Sequence, residues 1–199
     1  MDSWCWIKRG RNTLALAAVT LVLALAGCTA KAGLPSYGVV GDFTLTDQTG
    51  AQFSVNALRG KVWVADFIFT HCMGPCPRMS SQMRQVGEAL DAHAPKDSTR
   101  LVSFTVDPAR DTPEVLAAYG KHFKAEPGRW FFLTGPTETL DHLCRQTFLL
   151  GNVDSTLQHS TRFVLIDRHS QIRGFYLSDE AESIPRLIAD ATRLAKERL

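Results

Sequence analysis

The sequence predicts an α/β domain: a central mixed sheet flanked by helices, with several strands parallel and a β-hairpin added at its amino-terminal end. Three observations lead there. Two nearly unbroken apolar runs, "KVWVADFIFT" at 61–70 and "RLVSFTVD" at 100–107, read as strands covered on both faces. Segments with the apolar spacing of helices alternate with such strands. Alternating stretches joined by turn residues open and close the domain as hairpins.

Before the domain lies a leader. Residues 1–27 have a charged start, an uncharged apolar run from Thr13 to Ala26, and a small residue before Cys28. Those fourteen apolar residues would reach about 21 Å as a helix, short of the roughly 30 Å hydrocarbon core of a membrane. A cleaved export signal is therefore favoured over an uncleaved helical anchor. Leu25-Ala26-Gly27-Cys28 resembles the lipobox of bacterial lipoproteins, which implies acylation at Cys28. Either form tethers the remaining chain outside the cytoplasm, and nothing distinguishes inner from outer membrane. Residues 28–41, with Gly, Pro and Ser but no periodicity, read as the tether, and 42–199 as one folded domain. The 45% hydrophobic and 21% charged content suits that domain. Lys8, Arg9 and Arg11 against Asp2 account for the whole formal charge of +2, so nothing basic is left over for nucleic acid.

Within the domain, "FTLTDQTGAQFS" gives the first hairpin, turning at Gln48 to Gly50. The strand at 61–70 follows, then a helix from Pro77 to Ala92 with Met79, Met83, Val86 and Leu90 on one side. After the strand at 100–107, "DTPEVLAAYGKHF" starts a helix, with Asp111 or Thr112 as cap and Pro113 in the first turn. "RWFFLTG" is a short strand and "PTETLDHLCRQTF" another helix. "TRFVLID" and "QIRGFY" pair as the closing hairpin, and Pro185 opens the last helix.

Of the five cysteines, Cys5 lies in the leader and Cys28 at its cleavage point, which leaves Cys72, Cys76 and Cys144. Cys144 shares a helical apolar face with Leu140, Leu143 and Phe148 and reads as core. Cys72 and Cys76, in "FIFTHCMGPCP", follow a buried strand and open a helix, where ligands and chemistry collect in an open α/β sheet. The amide groups and dipole of that helix start are expected to lower the thiol pKa. Four apart, the sulfurs are placed to bridge each other or to grip one ion. The three-residue spacer is longer than that of a simple Cys-x-x-Cys redox pair.

A soft cation such as Cu(I) favours thiolates, and Cu(II) gains from an added imidazole. His93, His122, His142 and His169 stand beside charged residues in helices or turns and read as solvated. His159 precedes a buried strand in a loop able to reach the start of the cysteine helix, and its alternative is a locally hydrogen-bonded loop residue. His71 is adjacent to Cys72, either tuning that thiol or facing solvent.

Taken together, "FIFTHCMGPCP", "VSFTVDPARDTPEVLAAYGKHF", "FFLTG" and "HSTRFVLIDRHSQIRGFY" resemble the Sco/SenC family, copper-delivery proteins for cytochrome c oxidase. The resemblance implies a thioredoxin-like fold and a membrane-tethered periplasmic copper chaperone. Copper would be held by Cys72, Cys76 and His159, and delivered to the oxidase subunit carrying the copper A site. Periplasmic copper donors or thiol reductants would supply the chaperone. Asp107 matches the family's Asp-Pro turn, for which a strand-end cap is an equally good account. Met73 and Gly74 stand where the family often has Pro-Asp, so partner contacts through that acid are not carried over. Met73 is a spare soft ligand or a solvent-facing side chain.

A different function class remains open. A thiol-disulfide oxidoreductase reducing the oxidase cysteines would use Cys72 to attack and Cys76 to resolve the mixed disulfide, so that the two form a disulfide in turn.

Overall fold

The computed structural model describes residues 33–150 and 161–197. The leader, Cys28 and His159 lie outside the described residues.

Among the described residues seven strands form one sheet: β1 (Thr44–Asp47), β2 (Gln52–Ser54), β3 (Val62–Ile68), β4 (Thr99–Thr105), β5 (Trp130–Thr134), β6 (Arg162–Ile166) and β7 (Ile172–Leu177). Their order across the sheet is β2-β1-β5-β4-β3-β6-β7. β3, β4 and β5 run parallel, whereas the β1–β2 and β6–β7 hairpins pair antiparallel at the two edges. The α-helices among the described residues are α1 (Cys76–His93), α2 (Pro113–His122), α3 (Thr137–His142) and α4 (Ser183–Lys196).

The nearly unbroken apolar character of β3, with Asp66 the exception, is explained by its interior position in the sheet, because every residue from Val62 to Ile68 is buried. Its side chains alternate between two cores. Val62, Val64 and Ile68 meet Met79, Met83, Val86 and Leu90 of α1, Leu116 of α2 and Leu187 and Leu194 of α4. Trp63, Ala65 and Phe67 face the other way, onto Phe104, Leu140, Cys144 and Phe148. A Cβ on Gly87 would stand 2.9 Å from Leu101 Cδ1, so the absent side chain lets α1 lie close on β4.

Thr112, not Asp111, caps α2: its Oγ1 accepts from Val115 N at 3.4 Å, with Pro113 in the first turn. Asp111 is thereby released for another task. The helix expected through Phe148 instead ends at His142 and continues as a wider π turn over Leu143–Thr147, with Phe148 N donating to Leu143 O at 2.8 Å. Leu34 to Gly41, which the sequence reading gives to the tether, runs beside β7. Tyr37 N donates to Ile172 O and Val40 N to Ser170 O, and Arg173 donates to the carbonyls of Leu34 and Pro35.

Candidate dithiol and metal site

The ends of β3 and β4 build the site. Beyond Ile68 the chain turns through Thr70 and His71, places Cys72, and enters α1 at Cys76, its first residue. Pro75 precedes the helix without a side-chain cap, and Met79 N donates to Pro75 O at 2.9 Å. Cys72 is 8% exposed and Cys76 fully buried, both among the apolar residues between the sheet and α1. Neither is in a disulfide, and the two thiols hydrogen-bond to each other. The expected convergence of the sulfurs is therefore found.

The expectation of a low pKa fails at Cys76. Burial pushes its thiol well above the ordinary range, and the Cys72 thiol and the buried Asp66 add to the effect. A hydrogen bond from the Phe69 backbone works in the other direction without offsetting it. Desolvation outweighs the helix start, because the sulfur lies inside the apolar layer rather than on its rim. Cys76 thus stands as a protonated thiol at neutral pH. An arriving metal ion must displace that proton.

Two buried carboxylates flank the thiols, and the sequence reading assigned neither to the site. Asp66 sits in the middle of β3 on the same face as Cys76, with Oδ1 accepting from Ser103 Oγ at 2.6 Å. Ser103 Oγ in turn accepts from Trp130 Nε1 at 3.0 Å. Asp66 Oδ2 has no hydrogen-bond partner, and burial raises the carboxyl to about 7 against the smaller opposing effect of Ser103. Its signal in the sequence was a lone acid inside an apolar strand.

Asp111 has the opposite circumstance. Its side chain is fully buried and accepts from Thr70 Oγ1 at 2.6 Å, Thr105 Oγ1 at 2.6 Å and Thr70 N at 3.2 Å. Thr105 Oγ1 also accepts from Asp107 N at 2.9 Å. One carboxylate thus ties the cysteine loop, the end of β4 and the start of α2 together. Asp107 acts as the strand-end turn: its carbonyl accepts from Arg110 N and Asp111 N, and its carboxylate reaches Arg110 at 3.4 Å.

His93, His122, His142 and His169 are exposed, as expected. His71 is also exposed, its Nδ1 3.1 Å from Thr70 Oγ1. Cys144 is buried in the core on the far face of the sheet, where burial pushes its thiol up to about 12. Met73 is 99% exposed. No group of three His, Cys, Asp or Glu side chains gathers among the described residues. A third protein ligand from that set would have to come from beyond them.

The arrangement is that of a thioredoxin-like dithiol protein: a mixed sheet whose leading helix begins at one of two convergent thiols. Such a pair can exchange disulfides or grip a soft cation. The SCO1/SenC family model matches residues 32–196, and the chain belongs to that family. It is 37% identical over 97 residues to the SCO1 protein homolog of Bacillus subtilis (strain 168), and that match spans 49% of each, about half the relative's length. A SCO1/SenC family lipoprotein structure from Bacillus anthracis str. Ames superposes with a TM-score of 0.75 at 31% identity, covering 83% of this chain and 100% of that one. Yeast Sco1 with copper bound gives a TM-score of 0.64 at 25% identity, covering 84% and 97%.

Proposed function

We propose that this chain is a membrane-tethered copper metallochaperone of the periplasmic face, lipid-anchored at Cys28, that holds one copper ion for the copper A site of cytochrome c oxidase. The observation that carries this reading is the pair of convergent thiols of Cys72 and Cys76 in an apolar setting, a donor set suited to a soft monovalent cation. The copper bound in yeast Sco1 and the lipoprotein from Bacillus anthracis support it. Cys72 and Cys76 bind as thiolates, releasing their protons to water, and His159 supplies an imidazole from its loop. Three protein ligands leave an open position through which a partner's thiolate attaches before these let go. An oxidised Cys72–Cys76 pair has no free thiolate for copper, so loading follows reduction.

Titration of the reduced protein with copper against a competing chelator tests the reading. Affinity should fall sharply in the Cys76→Ser, His159→Ala double variant. Unchanged affinity would remove the proposal.

The oxidoreductase alternative keeps its place because the two thiols already hydrogen-bond and a buried carboxyl near pH 7 stands on their face of the sheet. Cys72, the more exposed of the two, would attack the oxidase disulfide and Cys76 would resolve it. Trapping an oxidase subunit on a Cys76→Ser variant, with oxidase assembly intact in His159→Ala, would reverse the ranking.

A further inference from the structure

We propose that His71 and Met73 form an outer loading station for Cu(I), on the solvent side of the loop whose inner side carries the thiols; this rests on the copper reading above. Cys72 is nearly enclosed and Cys76 wholly so, yet the residues on either side of Cys72 are exposed, Met73 at 99%. A Cβ at Gly74 would stand 3.9 Å from Cys72 Sγ, and the glycine leaves that space open.

The hydrogen bonding fixes which imidazole nitrogen is available. The Thr70 hydroxyl gives its single hydrogen to the buried Asp111 carboxylate at 2.6 Å. Toward His71 Nδ1, 3.1 Å away, that oxygen is therefore limited to accepting. Nδ1 is then the nitrogen that donates to Thr70, and Nε2, which has no hydrogen-bond partner among the described residues, is the one left for a metal ion. A carboxylate acting through a hydroxyl on one ring nitrogen is the kind of outer support that orients a metal-binding histidine at the other. Met73 adds a thioether, which favours Cu(I) over harder cations.

The station holds copper through Nε2 and Sδ, weakly, because two neutral ligands leave the ion's charge uncompensated. Transfer inward is ligand exchange without redox change. A Cu–S bond forms at Cys72 as its thiol releases a proton to water, the Cu–N and thioether bonds break, and Cys76 then joins with loss of its own proton. Copper remains Cu(I) throughout.

Two measurements test this on the full folded chain under reducing anaerobic conditions. Equilibrium titration with Cu(I), buffered by a weak chelator, uses a Cys72→Ser, Cys76→Ser, His159→Ala background, which removes the inner ligands. One weak site should remain, and adding His71→Ala and Met73→Ala should abolish it. Stopped-flow transfer from a Cu(I)–chelator complex to otherwise wild-type thiols should slow about tenfold in the His71→Ala, Met73→Ala variant, with equilibrium affinity changed less than about twofold. Thr70→Val, which lacks the relaying hydroxyl, should slow transfer partially, and Thr70→Ser should restore it. No residual weak site, or an unchanged transfer rate, overturns the station. Failure of the wild-type thiols to bind copper at all would instead overturn the copper reading, a distinguishable result.

Discussion

Cys76 and Cys144 are both fully buried, and burial raises the pKa of both thiols, yet they lie on opposite faces of one sheet and have different prospects. Cys144 packs with Trp63, Phe67, Phe104 and Phe148 and has no second thiol beside it among the described residues. Cys76 hydrogen-bonds to a second thiol at the start of α1. Burial alone therefore does not make a sulfur functional. What sets Cys76 apart is a converging thiol, that of Cys72, which is itself 8% exposed.

The sharpest way to break that contrast is to remove each sulfur. Cys76→Ser should weaken copper binding by at least about a thousandfold, roughly 4 kcal/mol, while Cys144→Ala should leave it within about twofold. Competition with a chromophoric Cu(I) chelator reads both. Comparable losses at the two positions would erase the distinction between the faces.

Next in size is the aromatic layer around Cys144. Phe148 meets Trp63, Phe67 and Phe104 at centroid distances of 6.0, 5.6 and 5.5 Å. Phe148→Ala should cost about 3–5 kcal/mol in urea unfolding through the cavity it leaves. Copper affinity of the folded fraction should not change, since the thiols lie across the sheet. A copper defect in that fraction would show that the faces are coupled.

The thiol face has its own acid. Asp66 is raised from the ordinary carboxyl range to about 7, so the native state binds its proton more tightly than the unfolded chain does. Stability should therefore fall as pH rises from about 4 to about 7 and then level off, by up to about 4 kcal/mol from this group. Denaturant unfolding across that range should show the fall, and Asp66→Asn should flatten it. At pH 8 the variant should be net more stable by about 1–3 kcal/mol, less than the full amount because its amide leaves unpaired hydrogens. A flat wild-type profile would contradict the buried ionisation.

The smallest effect sharpens the comparison within the thiols. In the native reduced protein at pH 7, Cys72 should be alkylated first, with Cys76 and Cys144 following only on local or global opening. Mass spectrometry of timed iodoacetamide quenches would read the order. Early labelling of Cys144 would refute its enclosure.

Much of this architecture was legible beforehand. The apolar runs of β3 and β4, the Met79, Met83, Val86 and Leu90 face of α1, and the hairpin at Gln48 to Gly50 follow from local periodicity and turn chemistry. The cysteine pair was legible because a close pair after a buried strand is a local pattern. Asp111 was not: as a candidate cap it looked locally satisfied, and its real partner, Thr70, is 41 residues away. The π turn was also missed, since a helical apolar face does not encode the extra residue in one turn that carries Phe148 inward.

The sequence by itself determined the elements, their alternation and the close pair of thiols at a strand end, because propensity, apolar period and donor type act over a few neighbouring residues. Only the tertiary structure decided the order of the seven strands, the protonation of Cys76 and the clamp at Asp111. Each depends on how far water is excluded and on which distant groups are brought into contact.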